Sequence, residues 1–121
     1  MKKVLIVEDD KQWANLFEKY VSDAKVKSES RLVMSGSQAI DMIDEWMPDV
    51  ILLDMLLAGE TGMALLNELR SHDDLAKIPV IVCSNIKFDS GQLDNFNVKT
   101  VLDKSTMEPR DVRGALESIL L

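Results

Sequence analysis

Cysteine is nearly absent from this chain. Cys83 stands alone among 121 residues, so no internal disulfide can brace the fold, and a reducing cytoplasm is the expected location. Glycine and proline are scarce, at five and three, and no low-complexity stretch or solenoid-period repeat interrupts the sequence. Basic residues are in the minority, 14 against 21 acidic. The resulting net charge of −7 argues against a nucleic-acid surface, because phosphate contacts need clustered Lys and Arg. Long apolar runs are missing too. Met1-Lys2-Lys3 has the look of a signal-peptide start, but only Val4 to Val7 follow before Glu8-Asp9-Asp10. No segment is long enough to span a bilayer.

What remains is the composition of a soluble globular domain, 46% hydrophobic and 29% charged. A chain of this length buries a real core as one unit, so residues 1–121 are expected to form a single domain. Strand and helix patterns alternate five times. Val4-Leu5-Ile6-Val7 reads as a buried strand, and Asp10 caps a helix with Trp13, Leu16, Phe17, Tyr20 and Val21 at helical spacing. Arg31–Met34 is the second strand. Ser35 caps a helix whose apolar face is Ala39, Ile40, Ile43 and Met47, and which Pro48 closes. Val50–Leu53 is the third strand, followed by a Gly59–Gly62 loop and a helix marked by Met63, Leu65, Leu66 and Leu69. Val80–Cys83 is the fourth strand. Asp89–Phe96 is a short helix with little apolar face, and Thr100–Leu102 is the fifth strand. Val112, Ala115, Leu116, Ile119 and Leu120 complete a last amphipathic helix, with Pro109 in its first turn. Apolar strands joined through helices imply an α/β fold, a doubly wound parallel sheet covered on both faces.

In such a sheet, ligands bind beyond the carboxyl ends of the strands. The residues there are Glu8-Asp9-Asp10, Asp54, Ser84 and Asp103-Lys104. Carboxylates within about 4–6 Å resist joint ionisation unless a cation sits among them. Hard oxygen donors suit Mg²⁺, which keeps open positions for phosphate oxygens. A carboxylate is also a possible nucleophile toward phosphorus, with a lysine and a hydroxyl to meet the transferred group. Each piece has a plainer reading as a solvated strand end, a cap or a turn. Asp54 resists it, because it closes the run Val50-Ile51-Leu52-Leu53, where an unpaired carboxylate is costly.

Assembled in this order, VLIVEDD (residues 4–10), PDVILLDMLLAGETG (residues 48–62), IPVIVCS (residues 78–84) and VLDK (residues 101–104) resemble a response-regulator receiver domain of two-component signalling. The resemblance covers essentially the whole chain and is to the stand-alone, chemotaxis-type architecture. It implies a flavodoxin-like three-layer sandwich with strand order 2-1-3-4-5 and five helices. It further implies that Asp54 is the phosphoacceptor, that Asp9 binds Mg²⁺ directly and Glu8 through water, and that the Leu56 backbone carbonyl is the remaining protein ligand. Ser84 matches the Thr/Ser that moves toward the phosphoryl group, and Lys104 the lysine that neutralises it. The implied donor is a sensor histidine kinase or phosphotransfer protein, and the implied output is a downstream protein target, with no nucleic acid or membrane contact. The chain would be a monomer or weak dimer. It would be no enzyme beyond catalysing its own phosphorylation and dephosphorylation.

Three positions depart from the family pattern. Ala58 stands where proline is frequent, Ser105 follows the lysine where proline is usual, and Val101 replaces a frequent aromatic. The last two fall on the surface that commonly transmits the signal. Leu56 and Ile86, two residues past Asp54 and Ser84, are apolar and are expected to hinder an attacking water, giving a long-lived phosphoryl group. His72 reads as an ordinary surface histidine and Cys83 as an inert core residue. Two other functions compete. An aspartate-nucleophile phosphohydrolase of the haloacid-dehalogenase type needs a second Asp where Leu56 stands, and room for a cap. A degenerate receiver would bind partners without phosphorylation, but then has no need of the intact set Glu8, Asp9, Asp54, Ser84 and Lys104, with its costly like charges.

Overall fold

The computed structural model describes residues 1–89 and 91–121. In chain order the elements are β1 (Lys2–Val7), α1 (Lys11–Asp23), β2 (Ser28–Val33), α2 (Gly36–Trp46), β3 (Val50–Leu53), β4 (Leu56–Leu57), β5 (Glu60–Thr61), α3 (Gly62–Arg70), β6 (Val80–Ser84), β7 (Val98–Asp103) and α4 (Pro109–Leu120). Five of the strands make one parallel sheet, ordered β2-β1-β3-β6-β7. This is the expected 2-1-3-4-5 order, because β4 and β5 form a separate antiparallel pair.

The three central strands are buried on both sides, and their period-2 side chains divide cleanly between two cores. Leu5, Val7, Ile51, Leu53, Val80 and Val82 face Ala39, Ile43 and Trp46 of α2 and Leu65, Leu66 and Leu69 of α3. Val4, Ile6, Val50, Leu52, Ile81 and Cys83 face Phe17 and Val21 of α1 and Val112, Leu116 and Leu120 of α4. The result is a three-layer sandwich with both sheet faces covered. Among the described residues, no helix is long and apolar enough to cross a membrane.

Among the described residues four helices form rather than the expected five. In place of the expected helix over residues 89–96, three tight turns run from Gln92 to Asp89, Asp94 to Gly91 and Phe96 to Leu93; Ser90 lies outside the described residues. Gly91 has φ +98°, which no α-helical residue adopts, and of the expected apolar face only Leu93 is buried. β2 begins at Ser28 rather than Arg31. As an edge strand it is held by backbone pairing from Lys2–Ser28 to Val7–Val33, which does not require apolar side chains in Ser28, Glu29 and Ser30. Met47 is exposed and left-handed (φ 49°), since Pro48 disfavours the helical conformation before it, and Trp46 takes the core position instead.

Candidate functional site

Backbone bonds just beyond the regular strands align the residues at the carboxyl edge. The N–H of Glu8 donates to the Val33 carbonyl (3.0 Å), that of Asp54 to Val7 (3.1 Å) and that of Lys104 to Ser84 (3.1 Å). Parallel register therefore delivers Glu8, Asp54, Ser84 and Lys104 to one end of the sheet. All four are buried.

Lys104 joins the two most buried carboxylates. Its Nζ donates to Glu8 Oε1 at 2.5 Å and to Asp54 Oδ2 at 2.9 Å. Asp9 is half-buried, and carboxylate oxygens of Glu8, Asp9 and Asp54 lie within 4.8 Å of one another. Three carboxylates against one ammonium leave a surplus of negative charge. Burial pushes the Glu8 carboxyl up to about 7, opposed by the hydrogen bond from Lys104 and reinforced by the charge of Asp54. Burial pulls the Lys104 ammonium down, but its hydrogen bonds to Glu8 and Asp54 outweigh this and hold it above its ordinary value. An additional cation would relieve that surplus, and oxygen donors of this kind would suit a small hard one.

The loop after Asp54 is a compact hairpin rather than an open turn. The Leu56 N–H donates to Asp54 Oδ1 (3.0 Å), so both Asp54 oxygens are engaged. Glu60 accepts from the Gly36 N–H at the start of α2, where a carboxylate complements the helix dipole. The Gly62 N–H donates to the Met55 carbonyl (2.8 Å). A Cβ on Gly62 would lie 2.7 Å from Met55 Sδ and 3.1 Å from the Asp54 carbonyl oxygen, so glycine lets α3 start directly against the Asp54 segment.

Two of the departures from the family pattern have local roles. The Ala58 N–H donates to Asp9 Oδ2 (2.7 Å), a bond that proline has no N–H to make. Asp103 Oδ1 accepts from both the N–H (2.8 Å) and the hydroxyl (2.6 Å) of Ser105, which holds the turn after Lys104 without proline and lowers the Asp103 carboxyl below its ordinary value. Val101 is exposed.

Ser84 ends β6 with its Oγ accepting the Ile86 N–H (3.2 Å). Leu56 and Ile86 are exposed beside Asp54 and Ser84. Cys83 is fully buried, and burial pushes its thiol up to about 12. Helical spacing placed Trp13 and Phe17 on the inner face of α1, but it held no sign that both rings lie near Lys104 Nζ, at 5.0 and 6.0 Å.

The chain is similar to known proteins in sequence and in fold. The sequence is 35% identical to the transcriptional regulatory protein MalR of Bacillus subtilis over 81 residues, 67% of this chain and 34% of MalR. The chain thus aligns with only about a third of that regulator. It is 29% identical to the polar-differentiation response regulator DivK of Brucella anthropi over 111 residues, 90% of this chain and 89% of DivK. The crystal structure of the phosphorylated cyanobacterial phytochrome response regulator RcpA superposes with TM-score 0.81 at 27% identity, covering 98% of this chain and 94% of that one. Residues 4–116 match the family described as the response regulator receiver domain, and by that match, which takes in nearly the whole chain, this protein belongs to the receiver domains of two-component signalling.

Proposed function

We propose that Asp54 accepts a phosphoryl group from the phosphohistidine of a sensor histidine kinase or phosphotransfer protein, and that the modified domain changes conformation to control a downstream protein. An Asp54 carboxylate oxygen attacks phosphorus, the P–N bond to the departing imidazole breaks, and an acyl phosphate results. Hydrolysis later breaks the bond between phosphorus and the Asp54 oxygen and restores the carboxylate. The observation that carries the reading is the placement of Asp54 between the Lys104 ammonium at 2.9 Å and the carboxylates of Glu8 and Asp9.

Glu8, Asp9 and Asp54, with the backbone carbonyl of Leu56, would hold Mg²⁺. Three carboxylates drawn this close favour a divalent cation, and when bound it supplies charge neutralisation at phosphate oxygens. Lys104 meets the charge of the transferred group. The Ser84 Oγ accepts from Ile86, which leaves its own proton to donate to a phosphoryl oxygen. The structurally similar response regulator RcpA has been crystallised phosphorylated, which supports the reading of this chain as a phosphoryl acceptor. The reading takes residues 1–121 as one receiver domain, acting alone or within a longer regulator, in the cytoplasm.

The test is intact-mass analysis after incubation with acetyl phosphate and Mg²⁺, beside Asp54→Asn. A gain of one phosphoryl group in the unsubstituted protein alone is the expected result. If folded protein gains nothing from acetyl phosphate or other small phosphodonors, the chain binds partners without phosphorylation.

A further inference from the structure

Lys104 has three N–H donors, and its hydrogen bonds among the described residues go to Glu8 and Asp54. Two aromatic rings also lie near its Nζ. The Trp13 ring centroid lies 5.0 Å from Nζ and that of Phe17 6.0 Å, inside the range where a ring face attracts a cation. Trp13 and Phe17 are one helical turn apart on α1, with centroids 5.6 Å apart and planes inclined by 30°. Tyr20 meets Phe17 edge-on at 6.3 Å. Phe17 is buried at 2% exposure, so the base of this platform is fixed by the core.

From this geometry we propose that Trp13 is a positioning residue: its indole face holds the Lys104 ammonium at the site independently of the two carboxylates. The need for such an anchor rests on the phosphotransfer reading above. As Asp54 engages the incoming phosphoryl group and Glu8 turns to another cation, both of the lysine's acceptors are altered together. A flexible four-carbon side chain is then held less firmly until it meets the transferred group. Trp13 and Phe17 keep it in place, because an aromatic face is neither protonated nor phosphorylated in the cycle.

The experiment compares Trp13→Leu and Trp13→Phe with the unsubstituted protein. The first readout is independent of turnover: the NMR shift of the Lys104 ε-methylene protons. Ring current should displace these protons, with the displacement largely lost in Trp13→Leu and largely kept in Trp13→Phe. The second is the rate of phosphorylation by acetyl phosphate, read by intact mass. Trp13→Leu should slow it about fivefold, the rate equivalent of about 1 kcal/mol of cation–π attraction, with Trp13→Phe recovering most of the loss. Thermal unfolding checks that both variants fold. An unchanged rate in Trp13→Leu overturns the proposal. So does equal slowing in both variants, which would mean that the shape of tryptophan matters rather than its ring face. If the unsubstituted protein takes no phosphoryl group, the phosphotransfer reading fails instead; the anchor is then judged on the methylene shift, and an undisplaced signal overturns it.

Discussion

Lys104 Nζ stands 2.5 Å from Oε1 of Glu8, a residue 96 positions away in the chain, and both side chains are nearly sealed from solvent. Removing one partner of such a pair leaves the other charge buried. Lys104→Met should therefore destabilise the metal-free protein by about 3 kcal/mol at mildly alkaline pH, as measured by urea unfolding. The loss should shrink under mildly acidic conditions, where Glu8 takes up a proton. A pH-independent loss would show that Glu8 is not the charge left behind.

Glu8 itself carries a stability cost. Its folded value of about 7 lies above the ordinary 4.5, so the folded state holds this proton more tightly than the unfolded chain does. The stability this contributes is complete below about pH 4.5 and is lost as pH rises through about 7. Urea midpoints of the metal-free protein should fall across that window. Glu8→Gln should flatten the curve, and Mg²⁺ added at the alkaline end should restore stability to the unsubstituted protein by binding the folded state.

Leu56 and Ile86 stand at the rim, 59% and 37% exposed, with their N–H groups tied to Asp54 and Ser84. Neither side chain can orient a water. Leu56→Asn and Ile86→Glu supply groups that can, and each should speed loss of the phosphoryl group from Asp54 by about tenfold. Decay can be followed by intact mass after removal of the donor. Equal decay rates in all three proteins would sink the idea that these side chains protect the acyl phosphate.

Gly62 is the tightest backbone approach near the site, with Met55 Cα 3.0 Å from where a Cβ would stand. Met55 Sδ can move, but the backbone of Asp54 and Met55 cannot without shifting the carboxylate. Gly62→Ala should cost about 1–3 kcal/mol in thermal or urea unfolding and also slow phosphorylation. A stability loss with an unchanged phosphorylation rate would show that the Asp54 segment absorbs the extra carbon.

The parts of the fold that were legible in the sequence are those set by local chemistry. Val4–Val7, Val50–Leu53 and Val80–Cys83 are apolar at every position because both of their faces are covered, and that pattern marks them as interior strands of a parallel sheet. The carboxylates, serine and lysine that end the strands were visible for the same reason, as polar residues closing apolar runs. Legibility fell where side chains ceased to be informative. The polar start of β2 is held by backbone pairing. The segment 91–97 folds into turns through Gly91 rather than into a helix, and the hairpin of β4 and β5 is held by antiparallel pairing and by Glu60 reaching Gly36.

The sequence by itself thus determined which residues reach the carboxyl edge of the sheet and which chemical groups they bring. Only the tertiary structure decided how close they come. Parallel register places Glu8, Asp54 and Lys104 side by side, and it buries the lysine between the two carboxylates. The packing of α1 sets Trp13 and Phe17 against that lysine. Such distances depend on the pairing of strands far apart in the chain and on the helices laid across them, and no local pattern of residues encodes either.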